Sequence, residues 1–214
     1  MGLCGQARHS PTPVPPVDPI EPVLNVLKAS KTTGSLEFRG KCESFSYPGF
    51  PDFPPMVEDN PTLGSPVQRL VSIFSKDPLM GVRQAADGSI EMMEIGIPED
   101  VLNITIDNID FSGPRKRVVN NPNGAVELVL YSPEVQNYIA LHSISVPYSV
   151  SMANGILGGV PDPRLPQISS SFHNETVRFL LNQIAKTLKS FWIYENCPTS
   201  AKGSRVVYIR FYRL

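Results

Sequence analysis

Residues 172–198 read FHNETVRFLLNQIAKTLKSFWIYENCP, and the fold turns on how this stretch divides. Val177, Leu180, Leu181, Ile184 and Leu188 recur at helical spacing, so they form one apolar stripe on a helix of three to four turns. The polar group before it, His173, Asn174, Glu175 and Thr176, then has a structural explanation, because the first turn of a helix leaves backbone N–H groups that a side-chain oxygen must accept. Asn174 is expected to be the helix cap. Glu175 in the first turn and Lys186 and Lys189 in the last suit the helix dipole. His173 and Glu175 also make a His-x-Glu, half of the zinc-deaminase pattern, but the cysteine half is missing. After the helix, FWIYENC and SRVVYIRFYRL are rich in aromatic and β-branched residues and read as paired strands.

The same plan of helix then extended chain appears twice upstream. Ser65 caps a helix with Pro66 at its first position, and Val67, Leu70, Val71 and Phe74 are expected on its buried face. GVRQAADGSIEMMEIG then reads as a hairpin turning at Asp87-Gly88. Leu102, Ile104, Ile106, Ile109 and Phe111 mark a half-buried strand. Pro133 divides residues 124–142 into two helices, the second capped by Ser132. The fold class expected is α+β, with short helices packed on small antiparallel or mixed sheets. Three regions follow: a disordered leader or tether at 1–22, an N-terminal α+β region with the hairpin at 23–112, and a C-terminal α+β region at 113–214.

The tether rests on SPTPVPPVDPIEP, with six prolines in thirteen positions. Ahead of it, MGLCGQA resembles the tail of a secretory signal peptide with Ala7 at the small-residue position. The localisation expected is periplasmic or exported, with a cytoplasmic alternative, and the only membrane link is such a signal. In an exported chain Cys42 and Cys197 are expected to form a disulfide, leaving Cys4 in the leader; in a reducing cytoplasm they are thiols.

Across 214 residues, 41% are hydrophobic and 18% charged, and the net charge of −1 offers no basic excess to hold nucleic acid. The cluster Arg115, Lys116 and Arg117 reads as a solvated loop, with contact to nucleic acid or an anionic membrane as its alternative, and Tyr47, Phe50 and Phe53 as a loop packed over the core or else offered to a partner. Three cysteines and three histidines without ligand spacing give no metal site, and no cofactor is expected. Gly155, Gly158 and Gly159 lack the Lys-Ser or Lys-Thr of a phosphate loop, and the serines at 169–171 lack a nucleophile elbow.

Residues 167–214 resemble the short N-terminal module of secretins and TonB-dependent receptors. In that module a strand ends at N-x-T, a helix follows, and two strands close the unit. The matching positions are Asn174, Thr176, Val177, Leu181, Ile184 and Ala185, with Trp192, Tyr194, Val206 and Ile209 on the strands. The resemblance implies a noncatalytic bacterial cell-envelope protein working in protein–protein interaction or assembly, through an envelope partner or self-association. The alternative is an enzyme whose groups converge only in three dimensions, such as His142, Asp110 and Glu134.

Overall fold

The computed structural model describes residues 18–40, 53–111, 122–147, 166, 168, 171–199 and 203–214. Helix α1 (Glu21–Ser30) carries a proline in its first turn, where a missing N–H costs nothing, and ends at Lys31 in the left-handed conformation. Strand β1 (Gly34–Arg39) follows. Helix α2 (Pro66–Ile73) opens on a capping box in which Ser65 accepts from the Gln68 N–H and the Gln68 side chain accepts from the Ser65 N–H. Strands β2 (Met80–Gln84) and β3 (Ile90–Glu94) form the expected hairpin, with Gly88 at φ 85°.

Strand β4 (Thr105–Asp110) precedes helices α3 (Pro122–Leu130) and α4 (Pro133–Leu141), the latter capped by Ser132. Strands β5 (Ile144–Ser145) and β6 (Ser171–Thr176), helix α5 (Val177–Leu188), and strands β7 (Ser190–Pro198) and β8 (Arg205–Arg213) complete the described chain.

The α+β class is therefore seen, with both parallel and antiparallel pairing. Six strands form one sheet in the order β2-β3-β1-β7-β8-β5, and β4 pairs with β6 in a second sheet. Strand β1 is parallel to both β3 and β7, while β2 and β8 run antiparallel to their inner neighbours. The large sheet thus takes β1, β2 and β3 from the region 23–112 and β5, β7 and β8 from 113–214. Its join is the register from Gly34↔Phe191 to Arg39↔Asn196. A Cβ at Gly34 would lie 2.4 Å from the Ile90 carbonyl oxygen, so glycine permits the close approach of β1 to β3.

Each face of this sheet carries its own core. On the first, α1 and α2 bury Val23, Leu27, Leu70 and Ile73 against Leu36, Phe38, Ile90, Met92, Phe191 and Ile193. On the second, α3 and α5 bury Val126, Leu180, Leu181 and Ile184 against Trp192, Tyr194, Val207 and Ile209, beneath β4 and β6. Strand β7 is covered on both sides, which explains an unbroken apolar FWIY where a half-buried strand would alternate. The Trp192 indole N–H donates to Asn182 Oδ1 of α5 at 2.8 Å, so the largest core side chain keeps its polar atom satisfied.

Three expectations about the elements change. Leu102 and Ile104, expected on the half-buried strand, precede it, because β4 begins at Thr105. The tether does not extend to residue 22: Ile20 is fully buried and Pro22 belongs to the first turn of α1. Residues 1–17 lie outside the described chain. Val71 is 52% exposed, and Ile73 takes its place on the buried face of α2. Only one side of that short helix meets the sheet, and Leu70, Ile73 and Phe74 fill it.

Candidate functional site

Strand β6 pairs with β4 as far as Thr176, with Asn108↔His173, Ile106↔Glu175 and Thr105↔Thr176 in register. This ladder keeps the chain extended two residues beyond Asn174, so α5 starts later than its sequence cap implies. Thr176 is the N-cap, its hydroxyl accepting from the Phe179 N–H at 3.2 Å. Asn174 instead sits within β6 at φ 55°, a conformation asparagine tolerates better than most residues. The exposed His173 donates through Nδ1 to Asn108 Oδ1 on the neighbouring strand. The two-stranded sheet accounts for the polar group that opens the motif.

His142, Asp110 and Glu134 engage three separate partners. His142 stacks on Tyr138 at 3.9 Å between ring centroids and donates through Nδ1 to the Tyr138 carbonyl. Asp110 accepts from the Ser171 hydroxyl at 3.1 Å. Glu134 accepts from the Asp107 N–H at 3.2 Å, tying α4 to β4. Among the described residues no group of three His, Cys, Asp or Glu side chains is placed to hold a metal ion. No described helix is long and apolar enough to cross a membrane.

Phe53 packs on Phe38, with ring centroids 5.8 Å apart. Its companions Tyr47 and Phe50 lie outside the described residues, as do Arg115, Lys116 and Arg117, the glycines at 155, 158 and 159, and the serines at 169 and 170. Cys197 is buried and disulfide-bonded. Cys42, its expected partner, is outside the described residues, and so is Cys4.

The most unusual chemistry lies under α5. Glu37 points from β1 to the second face of the sheet and is fully buried. Arg178, in the first turn of α5, donates to both of its carboxylate oxygens, one through Nη2 at 2.9 Å, and reaches Glu99 at 3.1 Å. Burial pushes the Glu37 carboxyl up to about 7; Arg178 opposes the rise, and Glu99 and Glu91 add to it. Beside it, Tyr194 donates to the Pro98 carbonyl at 3.2 Å and Asn196 donates to the Tyr194 oxygen. Burial raises the Tyr194 phenol well above its ordinary value. This network fastens α5 and the 98–100 segment to the sheet. Sequence gave no warning of it, since a glutamate within GSLEFR reads as solvent-facing.

The second feature is the outer edge of β2. Ile95 N–H donates to the Leu79 carbonyl at 2.8 Å and Ala85 N–H donates to the Ser89 carbonyl at 2.8 Å, so residues 79, 81, 83 and 85 turn their backbone groups toward β3. The alternate residues Met80, Val82 and Gln84 turn theirs outward. The Met80 N–H is taken by the Asp77 carbonyl. That leaves the Val82 and Gln84 N–H groups and the carbonyls of all three facing away from the sheet. No described strand pairs with this edge. Leu79 and Ile95, 50% and 68% exposed, lie paired at one end of this hairpin. Arg83, its side chain 66% exposed, pairs with Glu91 directly opposite on β3 at 2.7 Å.

Comparison with known protein families, with characterised proteins and with solved structures finds no match to this chain.

Proposed function

We propose that this chain is a noncatalytic interaction module of the bacterial cell envelope that takes an extended segment of a protein partner along the open edge of β2. The observation that carries the reading is the row of outward-facing backbone groups on Met80, Val82 and Gln84, beside exposed Leu79 and Ile95. A partner strand gains one net hydrogen bond of roughly 0.5–1.5 kcal/mol for each pairing, and the apolar flank adds affinity without a shaped pocket. The buried ionic network contributes rigidity: Arg178 and Glu37 bind α5 to the sheet, so the edge is presented on a fixed platform.

The disulfide at Cys197 supports an oxidising compartment and hence export. The order of elements over residues 171–213, strand, helix, strand and strand, supports the secretin-like resemblance. The test compares the protein with its Val82→Pro variant as bait for envelope proteins, each first shown to be folded by circular dichroism. Proline at 82 removes an outward N–H and leaves the β3 ladder intact. Binding to the wild type that slows amide exchange at Val82 and Gln84, and is lost in the variant, is the expected result. Equal capture by both, with no added protection at those amides, rules the edge out.

A further inference from the structure

We infer that the occupant of the β2 edge is a second copy of the same edge, so that two chains join antiparallel about a two-fold axis at Val82. This inference rests on the edge-pairing reading above and names its partner. Strand β2 has five residues and Val82 is its centre. Because Val82 directs its backbone outward, a two-fold there makes Val82 face its own copy as a hydrogen-bonded pair. Gln84 N–H then meets the Met80 carbonyl of the other chain. The arrangement forms about four backbone hydrogen bonds and does not need the Met80 N–H, the outward donor already in use.

The side chains support this register independently. On the sheet face carrying Arg83, the two-fold sets the guanidinium-bearing side chain of one chain opposite Gly81 of the other. Gly81 is otherwise unexplained. It does not have a positive φ, and a Cβ built on it meets only the Met93 carbonyl oxygen at an ordinary 3.6 Å. Glycine within a strand commonly marks a close approach by something outside it, and here the aliphatic stem of Arg83, whose guanidinium is held by Glu91 of its own chain, would come opposite that space. On the other face Met80 and Val82, both partly buried against the core of α1 and α2, meet Gln84 and Val82. Within the five-residue strand no like charges are opposed. At the strand ends the exposed Leu79 comes opposite Ala85 of the second chain, which begins to cover an apolar side chain that the monomer leaves in water.

Sedimentation velocity across a range of protein concentrations, with three edge variants, tests the arrangement. The wild type is expected to double its mass as concentration rises. Val82→Pro removes both Val82 donors at the axis and should raise the dimer Kd at least about 30-fold. Gly81→Arg sets two cations against the Arg83 side chains and should weaken the dimer. Gly81→Asp, with equal room for its Cβ, should tighten it. Opposite effects from substitutions at one site identify Arg83 as the opposing residue, which a general loss of folding would not produce.

A dimer unmoved by these substitutions overturns the inference. So does a wild type that stays monomeric at the highest concentration reached. In the second case a synthetic peptide spanning residues 78–86 separates the two readings. If it protects the Val82 and Gln84 amides, the edge binds strands but not through self-pairing of the folded chain. If it protects neither amide, the edge reading fails as well.

Discussion

Replacing Glu37 by glutamine removes a fully buried carboxyl at the β1–α5 contact, and its effect on stability has a sign that pH reveals. The carboxyl titrates at about 7 in the folded chain against 4.5 in the reference state. Below 4.5 the group is protonated whether the chain is folded or not. Between 4.5 and 7 the folded chain holds a proton that the unfolded chain has released, so wild-type stability falls as pH rises. At about 1.4 kcal/mol per pH unit, the total loss through this group is about 3 kcal/mol by pH 8. Glu37→Gln has no such proton to lose. The stability difference between variant and wild type should therefore shift toward the variant by about 3 kcal/mol from pH 4.5 to pH 8. Urea unfolding of both proteins at intervals of one pH unit measures it. Arg178 still has Glu99 at 3.1 Å in the variant, which limits the penalty of losing its first partner. A difference that stays flat across this range, or that moves toward the wild type, would show that Arg178 outweighs burial and refute the reasoning.

Three further outcomes are expected. Thr176→Ala should cost about 1 kcal/mol in urea unfolding by removing the cap of α5, while Asn174→Gly, compatible with φ 55°, should change stability by less than about 0.5 kcal/mol; the reverse order would return the cap to Asn174. Gly34→Ala should cost about 1–3 kcal/mol, because its Cβ would lie 2.4 Å from the Ile90 carbonyl oxygen; wild-type stability would mean that β1 and β3 separate freely. Non-reducing peptide mapping should find Cys197 joined to Cys42, and reduction should lower stability by about 2–4 kcal/mol; linkage to Cys4 or a free Cys197 thiol would remove the proposed pairing.

Elements whose cause lies within a few residues were legible from the chain. Ser65 with Pro66, Ser132 with Pro133, and Asp87 with Gly88 each satisfy or shape the backbone immediately beside them, and each does what its local chemistry implies. The stripe on α5 was equally plain, since Val177, Leu180, Leu181 and Ile184 must share a face whatever covers it. Asn174 shows where such reasoning stops. It is a good cap by type, but pairing with β4 some sixty-five residues away extends the strand past it, and Thr176 becomes the first residue free to cap.

The candidate sites were less legible for the same reason. Nothing in MGVRQ says that β2 will stand at the end of the sheet, because an edge is defined by the neighbour a strand lacks. Nothing in GSLEFR says that Glu37 will be buried. Local sequence determined the helices, the caps of α2 and α4, the hairpin and the α+β class, since hydrogen bonding and side-chain periodicity act over one or two turns. Tertiary structure alone placed β1 between β3 and β7, left the outer edge of β2 without a partner among the described strands and brought Arg178 to Glu37 across 141 residues. Which face of a strand becomes interior depends on what packs over it, and here the covering helix comes from the other end of the chain.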